Sequence, residues 1–161
     1  MPDATPIKNV LFLLADQHRS DCLGCYGNEV VQTPNIDRLA ERGVRFDRAF
    51  TPAAICTPAR ACIQTGMSAR NHGLIFNWEF FTCRGGQLNL DRRVRMFSQD
   101  LAEVGYQLAH IGKWHIGDVN RPADYGYDGV YHPGYGFPDT HAHYQNYLSQ
   151  LGLDGFVTTR P

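Results

Sequence analysis

A continuously apolar segment near the amino terminus restricts the fold more than any other part of the sequence. Asn9 to Ala15 reads NVLFLLA, and the polar cluster that follows begins at Asp16. A short apolar run without alternation predicts a strand that is buried on both faces, as the strands of parallel sheets are. We therefore expect Asp16 to lie at the carboxyl end of a buried strand.

Helical patterns and further apolar runs alternate along the rest of the chain. The predicted helices run from Thr33 to Gly43, from Pro58 to about Gly66, over 97–104 and over 143–151, and the further predicted strands cover 44–50 and 106–111. This alternation predicts an α/β fold with a largely parallel sheet flanked by helices. Because such sheets bind ligands outside the carboxyl ends of their strands, Asp16, Cys56 and Lys113 become candidate site residues.

Length and composition exclude several classes of protein. The 161 residues suffice for one domain, with core motifs over 9–117 and a loop-rich tail over 118–161. The chain is 43% hydrophobic and 19% charged, with a net charge of -1, which is typical of a soluble globular protein and gives no reason to expect nucleic acid as a partner. The longest apolar run is too short to span a membrane, and no secretory signal is visible. We expect a cytoplasmic protein, or a mature chain from which a leader has been removed.

The five cysteines do not form an evident disulfide framework, because their number is odd. Cys22 and Cys25 have the spacing of a redox or zinc-binding pair, but no second pair matches them. His141 and His143 are separated from them by a distance that fits no usual zinc pattern. We interpret Cys22 and Cys25 as reduced structural thiols.

Cys56 stands where a predicted helix begins, in the segment Cys56-Thr-Pro-Ala-Arg60. The start of a helix presents unpaired backbone N–H groups and the positive end of the helix dipole, so it favours an anionic neighbour. Arg60 is close enough along the chain to reach back toward the same point. Local chemistry leaves two interpretations open: a reactive thiol, or a buried cysteine beside an ordinary helix start.

Several motifs together resemble those of the sulfatase family. Cys-Thr-Pro-Ala-Arg at 56–60 matches the Cys-x-Pro-x-Arg signature, and Thr65-Gly66 matches its end. The further matching segments are 9–21, 23–28, 33–40, Gly105-Tyr106 and the run Gly-Lys-Trp-His over 112–115. The family more often has serine at the position of Ala59 and leucine at that of Gln64. The resemblance implies an alkaline-phosphatase-like α/β fold and the amino-terminal part of a sulfatase catalytic domain.

The resemblance also implies a nucleophile and a metal site. Cys56 would be oxidised to formylglycine by a formylglycine-generating enzyme, and its hydrated aldehyde would attack the sulfur of a small-molecule sulfate ester. Asp16 and Gln17 would bind a divalent metal together with residue 56, with calcium as the first choice and magnesium or manganese as alternatives. The family often has a second aspartate in place of Gln17. Without the resemblance, an Asp-Gln turn after a strand is an equally good interpretation.

Lys113 and His115 are the predicted basic pair. In an extended segment, residues two apart face the same side, so both side chains would converge on one anion. Lys113 would neutralise the oxyanion, and His115 would hydrogen-bond or protonate the leaving-group oxygen. The alternative is a solvated lysine and a structural histidine. Asn77 has the spacing from Cys56 at which some relatives place a substrate-binding asparagine. His18 and His72 could contact substrate, although a structural or surface role fits each better.

Three functional hypotheses follow. The first is sulfate ester hydrolysis, the second is hydrolysis of phosphonate or phosphate diesters with the same nucleophile, and the third is a non-catalytic thiol or metal-binding domain. In the family, a second metal-binding pair and another lysine come from much later in a longer chain, and nothing after Gly117 resembles that segment. We therefore expect an incomplete domain, little or no turnover by the isolated chain, and a tendency to aggregate.

Overall fold

The computed structural model describes residues 8–77, 87–129, 131–132 and 142–153. The chain divides into two compact units, with the boundary between Ala49 and Phe50.

Five α-helices lie within the described ranges. They are α1 (Pro34–Arg42), α2 (Cys56–Thr65), α3 (Ala69–His72), α4 (Phe97–Glu103) and α5 (Ala142–Gln150), and short 3₁₀ turns cover Ser20–Cys22, Gly24–Tyr26 and Pro122–Tyr125. These bounds confirm the four helices predicted from the sequence, with shifts of one or two residues at their ends. No helix in these ranges is long and apolar enough to cross a bilayer.

The ends of α1 and α2 follow from residues that are visible in the sequence. Thr33 is the N-cap residue of α1, Pro34 occupies its first turn, and Gly43 is its C-cap residue. Gly66 ends α2 in the left-handed conformation (φ 68°), and its N–H donates to the carbonyl of Cys62 at 2.9 Å. A glycine at this position adopts positive φ without the steric cost that other residues incur.

None of the three segments predicted as strands is a strand in the structure, so these predictions were wrong. The described strands are β1 (Gly112–Lys113) and β2 (Tyr131–His132), which pair in parallel with Gly112 opposite Tyr131. The predicted strand at 106–111 contributes only an isolated bridge from Ala109 to Asp128. Residues 9–15 and 44–50 are not assigned as strands. A strand exists only where a neighbour accepts and donates its backbone hydrogen bonds, and an apolar run does not reveal that neighbour.

Unit 1 is organised by polar side chains that bind backbone groups. Asp37 Oδ1 accepts from the Cys25 backbone N–H at 2.8 Å and from the Thr33 hydroxyl at 2.9 Å, while Thr33 Oγ1 accepts from the Gly24 N–H at 2.8 Å. A Cβ at Gly24 would lie 2.6 Å from Asp37 Oδ2. The start of α1 is thus attached to the turn that carries Cys25, and a side chain at position 24 would require the Asp37 carboxylate to move.

Unit 2 contains a continuous apolar core. Its buried members are Ala61, Leu74, Leu90, Met96, Trp114, Ile116, Tyr125 and Tyr127. They come from α2, from the segment after α3, from the start of α4 and from the residues that follow β1. This core fixes the helix that carries Cys56 against the segment that carries Lys113 and His115.

Candidate active site

Cys56 is the first residue of α2, which begins two residues earlier than the predicted start at Pro58. Ile55 before it is extended (φ -132°, ψ 147°) and serves as the N-cap residue without a side-chain acceptor. Pro58, in the same turn, brings no N–H group. Cys56 is half-buried, at the end of the helix where the dipole favours negative charge.

Asn77 is joined to the start of α2. Its Oδ1 accepts a hydrogen bond from the Thr57 backbone N–H at 3.0 Å, and both residues are buried. The structure therefore brings Asn77 next to the residue that follows Cys56. The contact that it makes is with the backbone of the helix.

Arg60 joins α2 to β1. Its Nη1 donates to the backbone carbonyl of Lys113 at 2.7 Å, in a partly buried environment. The two residues are separated by 53 positions, so the bond links two of the motifs that the sequence analysis treated independently. The Arg60 guanidinium therefore lies beside the backbone of Lys113 in unit 2.

His115 departs from the extended geometry that the sequence analysis assumed. Its φ is 53°, in the left-handed region, and the residue is 0% exposed. The argument that residues 113 and 115 face the same side because they are two apart in a strand was therefore wrong, since β1 ends at Lys113. Trp114 between them is a core residue. A left-handed backbone conformation at a histidine raises the free energy of the folded state by on the order of 1 kcal/mol or more. The packing around His115 holds it in this conformation.

His110 is a residue of this region that the sequence analysis missed. It is half-buried, and its ring meets those of Trp114 at 5.1 Å and Tyr127 at 5.8 Å between centroids, both edge to face. Burial, together with the positive charge of Arg60, lowers the pKa of His110 below its usual value. The signal in the sequence was its place two residues after Leu108, which packs against the core.

His72 has a structural role. It is buried, its Nδ1 accepts from the Leu74 N–H at 3.2 Å, and its Nε2 lies 3.3 Å from Cys62 Sγ. Burial lowers the pKa of His72 and raises that of the Cys62 thiol, so the pair is neutral. This confirms the structural alternative for His72 and ties α3 to α2. His18 is exposed in unit 1.

Gln64 is explained by a partner from later in the chain. The Tyr127 hydroxyl donates to Gln64 Oε1 at 3.0 Å, and both residues are buried. Since Tyr127 also packs against Trp114, at 6.1 Å between ring centroids, α2 is attached to this region near both of its ends. An amide at position 64 is the side chain that satisfies the buried hydroxyl.

Asp16 and Gln17 lie in unit 1, and both are exposed. Gln17 adopts φ 57°, and within the described ranges it and His115 are the non-glycine residues with positive φ. Each belongs to a stretch that the sequence analysis assigned to the site. Strained backbone of this kind concentrates at functional sites, which is an argument for function at both positions.

The oxygen atoms that Asp16 and Gln17 offer in unit 1 are of the kind that binds a hard divalent cation. Asp16 offers carboxylate oxygens and Gln17 an amide oxygen, which are the ligands that calcium and magnesium prefer. No group of three or more His, Cys, Asp or Glu side chains that could hold a metal occurs within the part of the chain that the structure describes. These two residues would therefore form part of a metal shell.

Comparison with known proteins establishes the family. The sulfatase family model matches residues 8–157, and the chain belongs to the sulfatase family. It is 38% identical over 114 residues to an N-acetylglucosamine-6-O-sulfatase of Bacteroides thetaiotaomicron, an alignment that covers 71% of this chain and 19% of that protein.

Solved structures confirm the alkaline-phosphatase-like fold. One is a protein in complex with its substrate D-glucosamine-2-N,6-O-disulfate, with a TM-score of 0.57 and 34% identity, covering 68% of this chain and 20% of that chain. Another is the phosphonate monoester hydrolase of Agrobacterium radiobacter, with a TM-score of 0.62 and 30% identity, covering 86% of this chain and 27% of that chain. The chain thus spans about a fifth to a quarter of the length of these relatives.

Proposed function

We propose that the protein that carries this chain hydrolyses small-molecule sulfate esters, and that residues 8–117 contribute its nucleophile and part of its anion-binding site. The observation that carries the proposal is the hydrogen bond from Arg60 to the Lys113 carbonyl. It links the signature helix to the Lys-Trp-His segment, and membership of the sulfatase family supports the reaction class.

The four proposed site residues of unit 2 have separate roles. Cys56 is the residue converted to formylglycine by a generating enzyme, and the hydrated aldehyde supplies an oxygen nucleophile that can later release sulfate. Arg60 and Lys113 provide positive charge where the sulfate oxygens develop negative charge. His115 hydrogen-bonds the leaving-group oxygen, and the packing that holds its left-handed backbone fixes the ring.

Asp16 and Gln17 are proposed as ligands of a divalent metal, with calcium as the first choice. A bound divalent cation would supply Lewis acidity to the reaction. Asp16 and Gln17 contribute one carboxylate and one neutral amide. A shell with a single negative charge at these two positions binds a divalent cation less strongly than one with two.

The test compares hydrolysis of an aryl sulfate and a sulfated glucosamine by the wild-type protein with that by Lys113→Ala and His115→Ala. We expect each substitution to lower kcat/KM by at least about 100-fold, the usual effect of losing a group that stabilises the transition state. Lys8→Ala is the matched control, since Lys8 is exposed and lies outside the proposed site. Wild-type rates in Lys113→Ala would reject its assignment.

Hydrolysis of phosphonate or phosphate diesters is the second candidate. It is favoured by the similarity to the phosphonate monoester hydrolase and by Gln17 in the metal-binding position. Lys113 and His115 favour the sulfate ester. An aryl phosphonate that is turned over with a higher kcat/KM than the matched aryl sulfate would reverse the order of the two candidates.

A further inference from the structure

The first turn of α2 lacks local capping. Its N-cap residue is Ile55, whose side chain cannot accept a hydrogen bond, and the proline at position 58 provides no N–H group. The helical ladder begins with the Ala59 N–H, which donates to the Ile55 carbonyl at 3.0 Å. The N–H groups of Cys56 and Thr57 therefore precede the ladder, at the turn that carries the proposed nucleophile.

Asn77 supplies the acceptor that the local sequence lacks. Its Oδ1 lies 3.0 Å from the Thr57 nitrogen, 20 residues away in sequence. Thr57 is 0% exposed and Asn77 is 4% exposed, so water does not compete readily for this N–H. Loss of the acceptor would leave a buried donor unsatisfied, which costs about 1–3 kcal/mol.

The surrounding elements hold Asn77 in place. α3 is joined to α2 by the contact between Cys62 and His72 at 3.3 Å. Gly73 then turns the chain with φ 82°, and Leu74, which is 0% exposed, anchors the following segment in the core. Asn77 therefore approaches the start of α2 from a fixed direction.

We propose that Asn77 is a positioning residue, whose side-chain carbonyl caps α2 and fixes the turn that carries Cys56. Because the Thr57 N–H is a donor, the atom that meets it is the oxygen of the amide, and the Asn77 amino group is directed elsewhere. The positioning role requires only an acceptor at this place, whereas a substrate-binding role would require the donor. The assignment deepens the proposed function, since it gives Asn77 a task next to the nucleophile.

The acceptor and the donor can be separated by substitution. Asn77→Asp keeps an acceptor oxygen at nearly the same place and removes the amino group, while Asn77→Ala removes both. Hydrogen exchange of the Thr57 amide, followed by NMR in the 161-residue chain with Cys56 unmodified, reports the contact directly. We expect Asn77→Ala to increase the exchange rate at Thr57 by about 10-fold or more, and Asn77→Asp to keep it within about threefold of wild type.

One control keeps the result specific. Alkylation of Cys62, which is buried in the same helix, should not change in either variant, because a change would indicate global unfolding. Exchange in Asn77→Asp as fast as in Asn77→Ala would overturn the proposal, as would an unprotected Thr57 amide in the wild-type chain. The measurement needs no sulfatase activity. A failure of the protein that carries this chain, with formylglycine at position 56, to hydrolyse sulfate esters would contradict the proposed function, and a protected Thr57 amide would still support this inference.

Discussion

The two units carry family motifs of similar density but hold them by different interactions. None of residues 8–49 is buried, and the turn at Gly24–Tyr26 is fixed by Asp37 and Thr33 through hydrogen bonds to backbone groups. In unit 2, the motifs surround an apolar core that includes Leu74 and Trp114. The difference indicates that unit 2 is stabilised by its own core, whereas the apolar residues of unit 1 are left exposed.

The largest expected effect is a loss of stability in unit 2, which is measured by replacing one leucine in each unit by alanine. Leu74→Ala should destabilise unit 2 by about 2–5 kcal/mol, because it leaves a cavity in a core where Leu74 is 0% exposed. Leu13→Ala in unit 1 is the matched control, since Leu13 is 76% exposed, and should change stability by less than about 0.5 kcal/mol. Urea unfolding followed by far-ultraviolet circular dichroism measures both, because each unit contains α-helix. Equal effects of the two substitutions would remove the contrast between the units.

The next effect concerns the buried pair Gln64 and Tyr127. Gln64→Leu and Tyr127→Phe should each cost about 1–3 kcal/mol, because each leaves the remaining partner without its hydrogen bond inside the core. The double variant should cost less than the sum of the two, since it removes both polar groups. The same urea titration gives the coupling energy, and strictly additive effects would show that the bond does not couple α2 to the segment after β1.

A smaller effect is expected in unit 1. Asp37→Ala removes the acceptor of the Cys25 N–H and of the Thr33 hydroxyl, and should cost about 1 kcal/mol locally. Hydrogen exchange at the Cys25 amide should become about fivefold faster, while Asp37→Asn should retain most of the protection. Asp47→Ala, which removes only an exposed ion pair with Arg45, serves as the control and should leave this amide unchanged.

The pH dependence of stability should come from unit 2. Burial lowers the pKa of His72 in the folded state, so its contribution is fully present above the ordinary histidine pKa of about 6.5 and is lost as the pH falls through the lower folded value. The urea midpoint of unit 2 should therefore be lower at pH 5 than at pH 7.5. His72→Gln should flatten this dependence. An unchanged slope in that variant would assign the effect to other groups, among them His110.

Helices and motif positions could be predicted from the sequence, whereas the pairing partners could not. Residues that begin or end a helix, such as Pro34 and Gly66, act on their neighbours in the chain. The bounds of the helices can therefore be predicted from the local sequence. The strands failed because pairing is decided elsewhere: β1 forms at Gly112–Lys113, where Tyr131–His132 lies beside it, and the apolar run at 106–111 forms no strand.

Within the candidate site, the residues that stand in sequence motifs could be predicted, whereas the features that depend on distant partners could not. Cys56, Arg60 and Lys113 could be chosen through the resemblance to the family motifs, and the structure places the Arg60 side chain at the Lys113 carbonyl. The left-handed backbone of His115 and the cap that Asn77 provides depend on packing across more distant residues. His110 escaped notice because its ring is placed by Trp114 and Tyr127.

Peptide mass spectrometry across residue 56 tests the central claim most directly. The protein is produced together with a formylglycine-generating enzyme, and a Cys56→Ala variant provides the reference. The account predicts that the peptide loses the sulfur of Cys56 and gains an aldehyde that reacts with a hydrazide probe. An intact thiol at position 56, in protein that nevertheless hydrolyses sulfate esters, would contradict it.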